Sequence, residues 1–328
     1  MPLHEFSLIE RFFDRPSASA VLKNSAIISG IGDDCAILAV PAGKELVFSL
    51  DTFVAGVHFS LDTRPADIAW RLMGATVSDL AAMGAEPNNF TLALTLPELS
   101  ESWLSEFSEN LVAAAQEYNI TLVGGDTTRG PLTLSVQVQG FVDSGCALLR
   151  SGAKEGDFIC VSGSLGDSKA GLSLLPIGPG VQLSAAQNYL LQRFYRPAPR
   201  VSTGLLIADC ASACVDVSDG LLADLKHILS RSGVGAKINA DDIPLSQPLL
   251  DVAGNAALDW ALNGGEDFEL CFTVPANRWL ELQDRLGKHP VKISKIGVIS
   301  ALPGIKMLSD GQWRPIDPQG FNHFESDE

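Results

Sequence analysis

Basic charge is scarce in this chain: 23 Lys and Arg stand against 39 Asp and Glu, a net charge of −16 over 328 residues. That balance opposes non-specific association with nucleic acid or an anionic lipid surface, so neither is expected as a partner. An anionic substrate would have to be held through metal ions and a few placed arginines. Long apolar runs are missing as well, none approaching the roughly 20 residues that span a bilayer. Residues 1–15 carry Glu5, Glu10 and Asp14 where a secretory signal has a basic start and an unbroken apolar stretch. Six cysteines, at 35, 146, 160, 210, 214 and 271, show neither the close pairs of a zinc site nor the density of a disulfide framework. Cys210 and Cys214 read as small buried residues on a helix. No Gly-x-x-x-x-Gly-Lys-Ser/Thr occurs, which excludes a P-loop nucleotidase. The expectation is a reduced, cytoplasmic, metal-dependent protein. Its length suggests about two domains.

What the chain does have is carboxylates punctuating small residues. Asp33 and Asp34 stand side by side in Ile31-Gly32-Asp33-Asp34-Cys35-Ala36. Two carboxylates ~4 Å apart repel by roughly 4 kcal/mol at an effective dielectric of 20, so a divalent cation is the economical companion. Similar acidic punctuation recurs at 49–52, 78–79, 124–129, 216–220 and 264–267. These segments are expected to converge on one site for several Mg²⁺ ions and a nucleotide's phosphates. Taken singly, each reads equally as a turn, since Gly and Asp are the commonest turn residues.

Periodicity places the segments on elements. Residues 5–13 carry Phe6, Ile9 and Phe13 at helical spacing. Residues 45–51 alternate as a strand, with Ser49 and Asp51 on one face and Phe48 and Leu50 on the other. His58 follows in a Gly-containing loop, where a structural hydrogen-bonding role is the common one. Pro65 opens a helix that runs to about Met83, and Asp79 falls on its apolar stripe with Ile68 and Leu72. A carboxylate there must be paired or metal-bound. After a strand at 90–96, Ser100 caps a helix bearing Leu104, Phe107, Leu111 and Ala115. A short strand at 120–123 is expected to end at Gly124, where Gly124 and Gly125 let backbone N–H groups approach a phosphate and Asp126 holds a metal on it. Residues 132–141 alternate as a half-buried antiparallel strand.

Residues 150–157 break the pattern and read as an interdomain junction. Beyond it come a strand at 158–162, a helix to 175, and helices at 184–195 and 200–211. A strand at 214–217 delivers Asp216, and Asp219 stands at or near the N-cap of a helix at 221–230. The Gly264-Gly265-Glu266-Asp267 loop precedes a strand at 268–274, a helix at 278–286 and a strand at 291–299.

Together, Ile31 to Ala36, Asp51 with His58 and Phe59, Ser78 to Gly84, Gly124 to Gly130, Arg150 to Ala153, Asp216 to Leu221 and Gly264 to Asp267 resemble the thiamine-monophosphate kinase family of the aminoimidazole ribonucleotide synthetase-like superfamily. The resemblance spans nearly the whole chain. It implies an α/β (α+β) fold of two domains. Residues 1–149 would form an N-terminal ATP- and metal-binding domain whose β-barrel is shared across a homodimer, and residues 150–328 a C-terminal α/β domain. It implies ATP-dependent conversion of thiamine monophosphate to thiamine diphosphate. Asp34, Ser49, Asp51, Asp79, Asp126, Asp216 and Asp219 would be ligands to Mg²⁺, with Asp51, Asp126 and Arg150 central to transfer. Gly125, Asp126, Arg150 and Ser218 would contact ATP, and His58, Glu266 and Phe321 would line the thiamine monophosphate site. Leu50 stands where the family often has Thr, so a metal contact there falls to its backbone carbonyl; Phe321 stands where Tyr or Trp is frequent, leaving only stacking.

The same carboxylates would serve a multi-metal phosphohydrolase or a nucleotide-binding regulator. The distributed Gly-Gly-Asp and Arg-Ser-Gly segments favour transfer over hydrolysis. A selenophosphate synthetase typically carries a reactive residue near its N-terminus, and no Cys precedes Cys35.

Overall fold

Strict alternation along one strand sets up the first half of the molecule. The computed structural model describes residues 8–13, 26–178, 180–287 and 289–318. A small antiparallel pair, Ile27–Ser29 (β1) and Ile37–Leu38 (β2), leads into the long strand Lys44–Val54 (β3). Helix Pro65–Ala82 (α1), strand Glu86–Leu96 (β4), helix Glu101–Glu117 (α2) and strands Thr121–Arg129 (β5) and Thr133–Asp143 (β6) follow. β3 to β6 make a four-stranded sheet ordered β3-β6-β4-β5, antiparallel except between β4 and β5. On β3, Val47, Ser49, Asp51 and Phe53 face the covered side, while Leu46, Phe48, Leu50 and Thr52 are exposed on the other. Ser100 caps α2 as expected, accepting from the Trp103 N–H at 3.4 Å, and the anticipated stripe of Leu104, Phe107, Leu111 and Ala115 is buried.

The second half is built around a sheet whose strands at 158–162, 213–216 and 270–274 are buried on both faces. Its elements are strand Phe158–Ser162 (β7), helices Asp167–Ser173 (α3), Ala185–Tyr195 (α4) and Val201–Ile207 (α5), strand Ala213–Asp216 (β8), helix Leu221–Ser232 (α6), strand Gly235–Asn239 (β9), helices Gln247–Ala253 (α7) and Ala257–Asn263 (α8), strand Leu270–Val274 (β10), helix Trp279–Leu286 (α9), and strands Ile293–Ser300 (β11), Gly304–Ser309 (β12) and Gln312–Ile316 (β13). The seven strands run β13-β12-β9-β11-β7-β10-β8, with only β12 and β9 parallel. Side-chain alternation sends Ile159, Val161 and Val215 into one core with Leu221, Leu225 and Ile228 of α6, and Cys160, Cys214 and Phe272 into another with Ile207 and Leu282. By contacts the chain divides into two compact units, residues up to 80 with 85–146, and 81–84 with 147–328.

Four expectations change. β5 does not stop at Gly124 but continues to Arg129, paired with β4 throughout. Register partners step from Phe90–Leu122 to Thr91–Gly124, so Val123 is an extra bulged residue, and Gly in a strand marks such a site. Neither cysteine expected on a helix lies on one: Cys210 is in the turn after α5 and Cys214 is in β8, although both are buried. Of the N-terminal helix, Ile9–Phe13 forms a single π-helical turn with Phe12 and Phe13 buried; Phe6 lies outside the described residues. β9, β12 and β13 were not anticipated.

Candidate active site

Ser49 and Asp51 leave β3 on the covered face, and α1 brings Thr76 and Asp79 against them. Ser49 Oγ donates to Asp79 Oδ2. Burial, and then the Asp79 charge, push the Asp51 carboxyl up to about 6, against a hydrogen bond from Thr76. Leu50, between the two, turns its side chain to the exposed face.

Asp126 does not join this group. Its register partner is Ala93, which pairs with Ser135, which pairs with Thr52. Paired residues share a face of a sheet, so Asp126 stands on the face opposite Asp51. There Asp126, Gly125, Asp33, Asp34 and Gln139 line a cleft of about 880 Å³, ample for a small organic ligand. Gly125, at φ 155°, is required by backbone crowding, because a Cβ would stand 1.9 Å from the Leu92 carbonyl oxygen. The expected single convergence is therefore, within this unit, two groups on two faces. Among the described residues no cluster of three His, Cys, Asp or Glu side chains suits a metal ion. Mg²⁺ needs no such cage. It retains waters and is commonly held by one or two carboxylates plus substrate phosphates, which the hard oxygens of Ser49, Asp51 and Asp79 fit.

His58 is fixed just past β3. Its Nδ1 accepts the Val54 N–H at 3.0 Å, its ring stacks on Phe53 at 5.3 Å, and its carbonyl accepts from Arg71. With Nδ1 accepting, the neutral ring carries its proton on Nε2 and is a donor there.

In the second unit β8 delivers the buried Asp216, and the chain turns through Ser218 and Asp219 into α6. Asp219 stands next to the N-cap, which is Gly220 and offers no side chain. Asp224, one turn inside the helix, reaches back instead, and its Oδ2 accepts from the Ser218 and Asp219 N–H groups at 3.0 Å each. Burial pushes Asp224 up to about 7 against these bonds, and nearby Arg150 pulls it down. The stretch after Arg150 hangs on the end of α6, where Ser232 Oγ accepts from Gly152 N at 3.1 Å and Ala153 N at 3.2 Å. The Gly264–Asp267 loop lies against the same turn. Glu266 N donates to Ser218 O at 2.8 Å and Phe268 N to Val217 O at 2.9 Å. A Cβ on Gly265 would come within 2.4 Å of Ser218 O, so the glycine serves this backbone contact. Arg150, Asp216, Ser218, Asp219 and Glu266 are thus gathered around the turn into α6. Phe321 lies outside the described residues.

Reasoning from sequence missed two carboxylates that hold these segments in place, Asp224 and Glu269, each at most 2% exposed; Asp267, in the Gly264–Asp267 segment, it did mark. One signal was available, a lone acid inside an apolar run, as in Phe268-Glu269-Leu270-Cys271-Phe272.

Comparison with known proteins bears on the whole chain. Residues 32–142 match the model of AIR synthase related protein, N-terminal domain, and residues 154–308 its C-terminal domain. The thiamine-monophosphate kinase of Salmonella typhimurium is 46% identical over 326 residues, covering 99% of both chains. The chain belongs to the thiamine-monophosphate kinase family. The crystal structure of thiamine-monophosphate kinase from Stenotrophomonas maltophilia K279a is 44% identical, covers 95% of this chain and 98% of its own, and superposes with a TM-score of 0.86. AaThiL complexed with AMPPCP and TMP is 32% identical, with 99% of each chain covered and a TM-score of 0.78. The two-domain α/β architecture of the family is the one found here. Asp34, Asp51, Asp79 and Asp126 fall in the first matched stretch, Asp216 and Glu266 in the second, and Arg150 between them.

Proposed function

We propose that this protein transfers the γ-phosphoryl group of ATP to thiamine monophosphate, giving thiamine diphosphate and ADP. The observation that carries the reading is the Asp51–Asp79 pair with Ser49, a hard-oxygen site whose like charges call for a cation, in a chain matching thiamine-monophosphate kinases from end to end. Mg²⁺ bound there would neutralise charge on the phosphates. Asp34 and Asp126, in the cleft with Gly125, would hold further Mg²⁺ and the phosphates of ATP; Asp216, Asp219 and the Leu50 carbonyl would complete the metal ligands. Arg150 and Ser218 would contact ATP. His58, Glu266 and Phe321 would take thiamine monophosphate, Glu266 facing its cationic or amino groups.

An oxygen of the acceptor's phosphate forms the new bond to the γ-phosphorus as the bond to the β-bridging oxygen breaks. A phosphate monoester has a second pKa of about 6, so near neutral pH that oxygen is largely deprotonated before it binds. No general base is required, and His58, fixed as a donor, serves to hold the substrate.

The protein is proposed to act as a homodimer through the exposed face of β3, where Phe48 and Leu50 are 63% and 60% exposed. A cytoplasmic location is proposed with it. No helix among the described residues is long and apolar enough to cross a membrane. Incubation with MgATP and thiamine monophosphate, followed by phosphorus NMR, tests the reaction. Thiamine diphosphate with ADP is expected. Free phosphate alone would make the protein a hydrolase, and no turnover a regulator.

A further inference from the structure

Glu266 sits in an unusual stretch of backbone. It and Phe268 both adopt left-handed conformations, φ 67° and 50°, which side chains other than Gly seldom take. Such backbone persists only where its surroundings over-determine it. The residue between them, Asp267, is 1% exposed and provides part of that restraint. Its Oδ2 accepts from Gly166 N at 2.6 Å and its Oδ1 from Ser168 N at 3.0 Å, tying the loop to the start of α3. Arg193 of α4 approaches the carbonyl oxygen of Asp267 at 3.5 Å and donates to Glu269 Oε1 at 2.8 Å. Glu269 also accepts from Ser162 Oγ and from Arg200 Nε, each at 2.6 Å. Asp167, 3.6 Å from Arg193 Nε, accepts from Ser164 Oγ at 2.5 Å and from Tyr189 at 3.2 Å. Burial pushes Asp267 up to about 7 in spite of Arg193 and its two backbone donors.

We infer that Asp267, clamped by Arg193, is a positioning residue: it holds the left-handed turn that aims Glu266 and seats it against Ser218. The inference rests on the proposed role of Glu266 as the residue that receives thiamine monophosphate. Nothing in the network reaches the reacting phosphates; its effect on the reaction passes through Glu266. Conservation of charge alone is insufficient, because two defined acceptor oxygens must meet two defined N–H groups.

The test combines amide exchange with kinetics on the full-length protein. Asp267→Asn keeps the volume but replaces one acceptor oxygen by a donor, so it is expected to speed exchange at Glu266 and Phe268 while amides in β7 and β10 stay protected. It should raise KM for thiamine monophosphate by about tenfold, with KM for ATP and kcat nearly unchanged. In a Glu266→Gln background the same change should add little, since the route it acts through is already lost. Equal effects in both backgrounds, or faster exchange with unaltered KM, would overturn the inference. If Asp267→Asn does not fold, Arg193→Lys, which keeps the charge but loses the fork to Glu269 and the Asp267 carbonyl, is read by the same criteria. A wild-type protein that makes no thiamine diphosphate overturns the proposed function, while the exchange result still decides whether Asp267 restrains the turn.

Discussion

The buried Glu269 of the second unit and the half-buried Asp51 of the first are compensated in different ways. In the second unit Glu269 meets Arg193 and Arg200, and the Asp267 carboxylate accepts from two backbone N–H groups. In the first, Asp51 faces the like charge of Asp79, with the hydroxyls of Ser49 and Thr76 beside the pair. A carboxylate paired with two arginines, as Glu269 is, is already satisfied and contributes architecture. One set against another carboxylate is held at a cost, which a bound cation removes.

The largest effect should come from breaking the satisfied set. Glu269→Gln leaves two buried guanidinium groups without their common anion, and a broken buried pair costs roughly 3–5 kcal/mol. Denaturant unfolding followed by a probe in the second unit should show a loss of that order. An unchanged midpoint would mean the arginines find other partners and the network is not a structural one.

The opposite sign is expected for the opposed pair. The folded-state pKa of Asp51, about 6, lies above the ordinary carboxylate value, so its contribution to stability is present at pH below about 4 and is lost as pH rises through about 6. Asp51→Asn removes the charge. Without metal, the variant should therefore be more stable than wild type at pH 8, by up to roughly 3 kcal/mol, and match it near pH 4. Turnover should be abolished. Saturating Mg²⁺ should raise the melting temperature of wild type more than that of the variant. Near-normal turnover at saturating Mg²⁺ would remove Asp51 from the ligand set.

The same contrast explains what could be read in advance. Ser49 and Asp51 were legible because a strand's period of two puts both on one face, and Asp79 because helical spacing places it on an apolar stripe. Which face each group shares with another group was not legible. It depends on the register across β3, β6, β4 and β5, and on the bulge at Val123, which settle the separation of Asp126 from Asp51. Likewise Gly125 and Gly265 stood out as special, but the reason is neighbouring backbone at Leu92 and Ser218, a tertiary fact. Asp224 and Glu269 were hidden because a buried acid looks like any other until its partners, distant in sequence, are in place.

The smallest effect is expected where the first unit contains a residue pinned as firmly as those of the second. His58 Nδ1 accepts the Val54 N–H and the ring stacks on Phe53, so in the neutral ring Nε2 carries the proton and is a donor, and taking up a proton would require Nδ1 to give up its bond to Val54. Gln at 58 can supply an acceptor to Val54 but, without the rigid ring, does not hold a donor where Nε2 stands. His58→Gln should accordingly raise KM for thiamine monophosphate by about tenfold, the loss of one well-placed hydrogen bond, and keep most of the turnover at saturation. Were His58 instead to accept the substrate's proton, the substitution would collapse kcat and erase an ionisation from the rate profile. Saturating rates of both proteins between about pH 5.5 and 9 separate the two. Collapse with unaltered substrate binding would refute base-free transfer, and it would mean that the hydrogen bond from Val54 to Nδ1 is given up during turnover.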